Sequence, residues 1–486
     1  MKKVQDILYK VSVESIIGAT TNNVSGVFFD SRDVEEESLY VAQKGVEFDG
    51  HDFISQAIDK GAKTIICEVI PAAIQKEVVY VLVTNSSKAL GTIASNFYDN
   101  PSEKIILVGV TGTNGKTTIA SLLYELFLGE GFITGLLSTI KIAYSTKEFE
   151  NLYTTPDPVT LNKHLKQMLI AGVSHCFMEV SSHGIFQNRI EGLRFSGGIF
   201  SNLTHDHLDY HEDFKTYRDI KKIFFDSLPK MAFALTNVDD KNGAYMIQNT
   251  AAKKYTYATK KHADFTAKIL ECEFTGMLLK IQSVEVWTSL VGRFNAQNLL
   301  AVYAASNLLE LSSISILTRI SELKSVEGRF HAFQAANKVT VVIDYAHTPD
   351  ALDNVLNTIN LIRTRNEKLI TVLGCGGNRD QEKRPLMAEK ASVLSDKVIF
   401  TSDNPRDEDP AIIIADMIKG VPPEQYKKTM KIPLREEAIA MAGKLVQPGD
   451  IVLIAGKGHE KYQEIKGKLY PFSDLEIAKQ TFLKLE

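Results

Sequence analysis

A glycine-rich segment over residues 109–118, GVTGTNGKTT, carries the residue types that bind a polyphosphate. Glycines let backbone N–H groups converge on phosphate oxygens, the Lys116 ammonium adds a positive charge, and the Thr117 hydroxyl can reach a bound Mg²⁺. Val110 stands where the usual G-x-x-x-x-G-K pattern has its first glycine. We therefore predict a variant nucleotide-binding loop, made of Gly112, Thr113, Asn114, Gly115, Lys116, Thr117 and Thr118.

Two further polar clusters follow apolar runs, at points where strands would end. Glu179 begins the segment EVSSHG, and residues 205–211 read HDHLDYH. A hard cation such as Mg²⁺ prefers oxygen ligands and keeps several waters, so Glu179, Thr117 and one imidazole such as His207 form a plausible ligand set. Zinc is the alternative for dense His and Asp. The absent H-E-x-x-H spacing and the phosphate loop favour magnesium.

These residues require strands and helices to position them. Residues 105–108 are a continuous apolar run before the loop, and apolar residues recur at helical spacing over 119–127 after it. The runs HCFMEV, FSGGIFSNL and KMAFALTNV predict further buried strands. We predict a central nucleotide-binding domain over 103–330, an α/β domain with a doubly wound, mostly parallel sheet.

Two more α/β domains flank this one. The runs VTVVIDYAH, KLITVLGCGG, DKVIFTSDNP and DIVLIAGKGH predict strands of a Rossmann-like C-terminal domain over 331–486. Shorter strand patterns predict a smaller N-terminal domain over 1–102, with a linker at YDNPSEK. Ligands in open α/β sheets bind beyond the carboxyl ends of the strands, so the polar residues that end these runs are the candidate site residues.

Composition narrows the function classes. Lys and Arg number 55 against 59 Asp and Glu in 486 residues, which gives no broad basic surface for nucleic acid or membrane. No uncharged apolar run reaches membrane-spanning length, so we expect a cytoplasmic protein. The four scattered cysteines form no C-x-x-C pair and are expected to be buried apolar residues.

Ten motifs, in this order, resemble the Mur ligases of peptidoglycan synthesis: VTGTNGKTT, YTTPD, MEVSSHG, DHLDYH, GRFNAQN, EGRF, DYAHTPD, GCGGNRD, TSDNPR and AGKGHE. The resemblance implies a cytoplasmic ATP- and Mg²⁺-dependent ligase. A carboxylate of a UDP-N-acetylmuramoyl-dipeptide would become an acyl phosphate, and the amine of an amino acid would displace phosphate. We expect a monomer whose partners are these small substrates.

The resemblance also implies roles for single residues. The nucleotide would contact the loop together with Asn295, Arg329, Asp344 and His347, and Thr117, Glu179 and His207 would lie at the metal. The UDP-sugar peptide would contact Ser31, Thr154, Thr155, Ser181, Gln187 and Arg189. The amino acid would contact Arg379, Asp403, Asn404, Pro405, Arg406, Gly456 and Glu460. Lys116, Glu179, His207 and Lys221 are the expected catalytic residues.

Lys221 has a special role in this resemblance. The family carries a lysine after DHLDYH whose carbamylation to N6-carboxylysine supplies a carboxylate to the metal. Here Ile220 replaces an expected small residue, and Lys222 is adjacent. Counting back from the aromatic pair Phe224 and Phe225 selects Lys221, and the alternative is two solvated lysines on an amphipathic helix.

The segment Asp403-Asn404-Pro405-Arg406 indicates the amino acid. In the family DNPR accompanies meso-diaminopimelate, whose extra carboxylate suits a guanidinium fork, whereas lysine-adding relatives generally lack this arginine. The lysine-adding ligase is the main alternative, and folylpolyglutamate synthetase is a more distant one. Two further alternatives are not ligases: a P-loop switch or motor, and an inactive nucleotide-binding scaffold.

Overall fold

The computed structural model describes residues 1–45, 48–151, 153–204, 213–335 and 337–483. Three main β-sheets, with helices between their strands, follow one another along these residues, which confirms the predicted α/β fold class. The domain boundaries near residues 102 and 330 stay predictions. No helix in the described ranges is both long and apolar enough to cross a membrane.

The N-terminal sheet is mixed, with strand order β2-β7-β6-β5-β4, and β2 is its antiparallel member. The strands are β1 Lys2–Lys3, β2 Val13–Ile17, β3 Asn23–Val24, β4 Val27–Phe28, β5 Ser38–Val41, β6 Ala62–Cys67 and β7 Val79–Val83. The helices are α1 Val4–Ile7, α2 Ile54–Asp59 and α3 Ser86–Phe97. Short 3₁₀ turns occupy Gly50–Phe53 and Pro101–Glu103, the second inside the predicted linker.

The central sheet has the order β11-β10-β9-β12-β8-β13-β14-β15-β16-β17-β18. Its strands are β8 Ile106–Thr111, β9 Thr134–Leu137, β10 Ile142–Tyr144, β11 Lys147–Phe149, β12 His175–Glu179, β13 Gly197–Phe200, β14 Phe233–Asn237, β15 Lys253–Ala258, β16 Phe265–Glu273, β17 Gly276–Ile281 and β18 Val284–Thr288. The helices are α4 Lys116–Gly129, α5 Pro158–Ile170, α6 Ser182–Phe186, α7 Phe214–Asp226, α8 Gly243–Met246, α9 Arg293–Leu308 and α10 Ser313–Glu322.

The strands from β9 to β16 in this order are parallel, as predicted, and β8 lies in the middle. Val110 belongs to β8, is fully buried, and pairs with both Glu179 and Ile199. The strand therefore continues past the position where the usual motif has glycine. The antiparallel edges, β10 with β11 and β16 to β18, were not predicted from the sequence.

The C-terminal sheet has the order β19-β20-β24-β21-β22-β23, with β19 antiparallel. Its strands are β19 His331–Gln334, β20 Thr340–Asp344, β21 Leu369–Cys375, β22 Lys397–Ser402, β23 Thr429–Lys431 and β24 Ile451–Ala455, followed by the hairpin β25 Tyr462–Ile465 and β26 Lys468–Pro471. The helices are α11 Pro349–Ile362, α12 Lys383–Leu394, α13 Pro410–Ile418, α14 Arg435–Leu445 and α15 Asp474–Phe482, with a 3₁₀ turn at Pro423–Lys428.

Apolar residues on the sheets and their covering helices form the cores. Strands β20, β21, β22 and β24 are almost wholly buried, as expected for parallel strands covered on both faces. Cys67, Cys176 and Cys375 are buried free thiols, whereas Cys272 is only partly buried and departs from the prediction.

Candidate active site

The predicted nucleotide-binding loop connects β8 to α4 and needs glycine at two positions. Gly112 and Gly115 have φ angles of +147° and +87°, which residues with a side chain rarely adopt. A Cβ on Gly112 would lie 2.0 Å from Ser201 Oγ, and one on Gly115 would lie 2.6 Å from Asn298 Oδ1. The loop backbone is therefore shaped by close approach to its neighbours.

The segment after β13 anchors the loop. Asn202 accepts hydrogen bonds from the backbone N–H of Thr113 at 2.8 Å and of Asn114 at 2.9 Å, through its carbonyl and side-chain oxygens respectively. Ser201 Oγ donates to Asn114 O at 2.6 Å. These bonds hold the loop in shape before any phosphate binds, which reduces the cost of ordering it on binding.

Two lysines converge on this loop. Lys116 Nζ donates to the carbonyls of Gly112 at 3.0 Å and Thr113 at 2.8 Å, and Lys221 Nζ donates to Gly112 O at 3.0 Å. Lys221 is 1% exposed, so it is not a solvated lysine. Lys222 instead pairs with Asp226 one turn further along α7. The structure thus places Lys221, of the two adjacent lysines, at the loop.

Glu179 ends β12, beside the end of β8, and is fully buried. Its carboxylate accepts from Thr139 N at 2.7 Å and from Thr139 Oγ1 at 3.2 Å. Within the described ranges, no three His, Cys, Asp or Glu side chains are grouped as a metal site. His207 lies outside the described residues. A buried carboxylate bonded only by neutral groups of the described chain suits a bound cation, because burial of an uncompensated charge is costly.

Arg329 connects the loop with the C-terminal sheet. Its Nη2 donates to Thr117 Oγ1 at 3.1 Å, and its guanidinium lies over the Tyr345 ring, 4.6 Å from the centroid. Asp344 accepts from Phe330 N at 2.6 Å. Burial raises the pKa of Asp344 to about 6, although Arg329 and the amide N–H groups of Phe330 and Ala346 act to lower it.

A small cavity of about 80 Å³ lies between the loop and β20, and six predicted nucleotide-site residues line it: Asn114, Gly115, Thr118, Arg329, Asp344 and His347. Asn295 lies behind this cavity, where its Oδ1 accepts from the lining residue Asn298 and its Nδ2 donates to Val291 O. The Tyr345 ring contacts the rings of His347 and His459 in tilted arrangements, with centroids 4.6 Å and 4.9 Å away.

The predicted sugar-peptide residues form one network, except for Ser31. Arg189 donates to Gln187 Oε1 at 2.6 Å and to Thr155 O at 2.6 Å. Thr155 Oγ1 donates to Glu179 O and accepts from Ser181 N, so this network joins the end of β12. Thr154 Oγ1 lies 3.0 Å from Thr139 Oγ1. Ser31 is buried elsewhere, in the N-terminal part, where its Oγ donates to Gln56 Oε1 at 2.8 Å.

Three of the predicted amino-acid residues lie at the ammonium group of a fully buried lysine, Lys457. Its Nζ donates to Asn404 Oδ1 at 2.8 Å and to Glu460 Oε2 at 2.8 Å, and lies 3.9 Å from Asp403 Oδ1. Asn404 Nδ2 also donates to Glu460 Oε2 at 2.8 Å. Burial raises the pKa of Glu460, with Asp403 adding to the effect and Lys457 opposing it. Glycine is required at position 456, because a Cβ added there would lie 2.6 Å from Asp403 Oδ2.

Arg406 has an unusual backbone conformation for a residue with a side chain, with φ +51°. Its Nη1 donates to Gly377 O at 2.8 Å, and its Nε lies 3.0 Å from Glu464 Oε2. A Cβ on Gly377 would lie 1.9 Å from Pro405 O. The glycines of GCGG therefore let the DNPR segment approach the end of β21.

A single cavity of about 1580 Å³ joins these regions. It is lined by the predicted residues Lys116, Thr154, Ser181, Gln187, Arg189, Lys221, His347, Arg379, Asp403, Asn404, Arg406, Gly456 and Glu460. The predicted phosphate-binding loop therefore lines the same cavity as the predicted sugar-peptide and amino-acid residues. The prediction missed Thr139, Tyr345, Lys457 and Glu464. Tyr345 and Lys457 lie inside DYAHTPD and AGKGHE, whereas Thr139 and Glu464 carry no local signal.

Three α/β sheets, and one cavity that joins a phosphate-type loop to two other polar clusters, fit the class of nucleotide-dependent ligases. The Mur ligase family, catalytic domain, matches residues 23–98, the Mur ligase middle domain matches 110–306, and the Mur ligase, glutamate ligase domain, matches 328–458. The chain belongs to the Mur ligase family, and it is an ATP-dependent ligase that forms amide bonds.

Individual proteins agree with this assignment. The chain is 51% identical over 479 residues to a UDP-N-acetylmuramoyl-L-alanyl-D-glutamate–2,6-diaminopimelate ligase of Cytophaga hutchinsonii, covering 98% of each chain. It is 50% identical over 480 residues to the ligase of the same name from Phocaeicola vulgatus, covering 99% of each. A solved structure of a ligase of this name superposes with a TM-score of 0.70 at 29% identity, covering 99% of this chain and 98% of that one.

Proposed function

We propose that this protein adds meso-diaminopimelate to UDP-N-acetylmuramoyl-L-alanyl-D-glutamate, using ATP, in cytoplasmic peptidoglycan precursor synthesis. The observation that carries the proposal is the single cavity in which Lys116 and Lys221 face Arg406 and Glu460. The relatives named for this reaction match nearly the full length of the chain.

The nucleotide would bind with its phosphates on the loop and its remainder toward the small cavity. Arg329, which lines the small cavity, and His459, which lines the large one, each have a buried atom without a hydrogen-bond partner within the described residues: Arg329 Nε and His459 Nδ1. Such orphaned polar atoms are rare in proteins and point to a polar ligand. Burial lowers the pKa of His459 to about 3, so His459 stays neutral at physiological pH and can accept or donate without adding charge.

The substrate carboxylate is a poor electrophile until one of its oxygens becomes a leaving group. Attack of that carboxylate on the γ-phosphate of ATP forms an acyl phosphate and releases ADP. The amine of diaminopimelate then attacks the acyl carbon, the C–N bond forms, and phosphate leaves. Lys116 neutralises charge on the reacting phosphoryl group, and a shared cavity holds the two anionic reactants close enough to react.

Mg²⁺ would be held by Thr117 and Glu179, with His207 and a carbamylated Lys221 as further ligands. Bound there, Mg²⁺ would neutralise phosphate charge. Carbamylation fits the position of Lys221, because a carbamate nitrogen keeps one N–H and so retains the hydrogen bond to Gly112 O. The modification also replaces a buried positive charge with the oxygen ligands that magnesium prefers.

The dipeptide end of the UDP-sugar substrate would contact the network of Arg189, Gln187 and Ser181. The far carboxylate of diaminopimelate would bind Arg406, and its distal ammonium would bind near Glu460 and Asp403. A lysine substrate lacks that carboxylate and would leave the guanidinium without a charged ligand.

Phosphate release tests the proposal directly. The enzyme receives ATP, Mg²⁺ and UDP-N-acetylmuramoyl-L-alanyl-D-glutamate, with meso-diaminopimelate, L-lysine or no amine. We expect sustained release only with meso-diaminopimelate, and none from Lys116→Ala under the same conditions. Equal release with lysine would support the lysine-adding alternative, and amine-independent release would contradict a ligase.

A further inference from the structure

Glu464 lies outside the residues assigned above, yet it contacts the DNPR segment through three different groups. Its backbone N–H donates to Asn404 Oδ1 at 3.0 Å, and its carbonyl accepts from Arg406 N at 3.1 Å. Its carboxylate Oε2 lies 3.0 Å from Arg406 Nε. No other residue of the hairpin β25–β26 contacts Arg406 through both backbone and side chain within the described ranges.

The hairpin supports the same segment on either side of Glu464. Gln463 Nε2 donates to Asp403 O at 2.6 Å, and Lys466 N donates to Arg406 O at 2.8 Å. Arg406 thereby pairs with Ile465 as an isolated parallel bridge. These bonds stabilise the φ of +51° at Arg406, a conformation that costs free energy unless its surroundings impose it.

The two contacts of the guanidinium fix its plane. Glu464 lies at Nε, and Gly377 O accepts from Nη1 at 2.8 Å. Because Nε and Nη1 belong to different parts of the planar group, a carboxylate at one and an acceptor at the other restrict rotation about the last side-chain bonds. The remaining N–H groups of the fork are then presented in one orientation, and Arg406 lines the large cavity while Glu464 does not.

We propose that Glu464 is a positioning residue for Arg406, and through it a determinant of selectivity for an amino acid with a distal carboxylate. This inference rests on the proposed function. Arg406 carries about 2 kcal/mol of rotamer entropy when free, and a fixed fork loses less of it on binding a carboxylate. The Arg406 and Glu464 side chains are 21% and 30% exposed, so screening keeps the direct charge effect small.

The test compares Glu464→Ala, Glu464→Gln and a surface control, Glu437→Gln, which replaces an exposed carboxylate on α14. We expect Glu464→Ala to raise the KM for meso-diaminopimelate about fivefold, the size expected of one partly exposed charged contact. The KM for ATP and the melting temperature should stay unchanged. Glu464→Gln should recover most of the affinity, because a side chain of the same length keeps an oxygen beside Nε.

A double-mutant comparison shows whether Glu464 acts through Arg406. In an Arg406→Ala background, Glu464→Ala should change the KM for meso-diaminopimelate no further. An undiminished effect in that background, a lowered KM in Glu464→Ala, or an unchanged KM would each overturn the proposal. If the unaltered enzyme fails to use meso-diaminopimelate at all, the proposed function fails first, and the two failures are thereby distinguished.

Discussion

Lys116 and Lys221 donate hydrogen bonds to the same backbone oxygen, that of Gly112, at 3.0 Å each. Their Nζ atoms therefore lie no further apart than twice that distance. Conversion of Lys221 to a carbamate would keep Lys116 as the ammonium group at this backbone oxygen and would add oxygen ligands for a cation beside the loop.

Lys221→Ala should reduce kcat by about two to three orders of magnitude, the usual effect of removing one group that stabilises charge at a reacting centre. A short carboxylic acid added at high concentration should restore part of the activity by occupying the vacated space. Lys222→Ala is the matched control, since Lys222 pairs with Asp226 and not with the loop, and it should keep most of the activity. Full activity of Lys221→Ala without additive would contradict the role.

Much of the strand pattern could be predicted from the sequence, because parallel strands buried on both faces are continuous apolar runs that end in polar residues. The strands ending at Glu179 and Asp344 are examples. The antiparallel strands β16 to β18 were not predicted, and their partners and register are set by tertiary pairing that a local pattern does not encode.

In the candidate site too, contacts between distant parts of the chain could not be predicted from local sequence patterns. Lys116 and Arg406 lie in local motifs and could be selected from residue spacing and resemblance. The contact between Arg406 and Glu464 joins residues 58 positions apart and depends on hairpin register, which local patterns do not encode. Ser31 was also selected by a motif match; its hydroxyl donates to Gln56 Oε1, and its contact with the substrate stays a prediction.

Arg406→Ala should raise the KM for meso-diaminopimelate by about 10- to 100-fold, the range for losing hydrogen bonds to a charged group. The KM for ATP should not change, because the guanidinium contacts Gly377 and Glu464 and not the phosphate loop. Steady-state kinetics with each substrate varied in turn measure both constants. A parallel rise in the two KM values would show that the arginine supports the fold of the site and not the amino acid.

Asp344→Asn should alter the pH dependence of stability. The pKa of Asp344 is raised by burial to about 6 from an unfolded value of 3.8, so the folded protein binds this proton more tightly. The resulting stabilisation is fully present below pH 3.8 and is lost as the pH rises through 6. The rise in the pKa of Asp344 corresponds to about 3 kcal/mol of folding free energy that is present at low pH and lost at high pH.

Asparagine keeps an oxygen for the Phe330 N–H but does not ionise. The melting temperature of Asp344→Asn, relative to that of the unaltered protein, should therefore rise between pH 4.5 and pH 7. The difference should level off above pH 7. A difference that is independent of pH over this range would mean that Asp344 does not titrate there.

Lys457→Met should lower stability, by about 3–5 kcal/mol, because it leaves the Glu460 carboxylate without its buried cation and removes one of the two donors to Asn404 Oδ1. Adding Glu460→Gln to this variant should restore part of the loss, since the uncompensated charge is then gone.

Lys419→Met is the control: Lys419 forms a similar pair with Asp416 across three residues but is 73% exposed. Its melting temperature should change little, as surface ion pairs contribute about 0–1 kcal/mol. If Lys457→Met melts like Lys419→Met, the buried lysine does not hold the amino-acid site together.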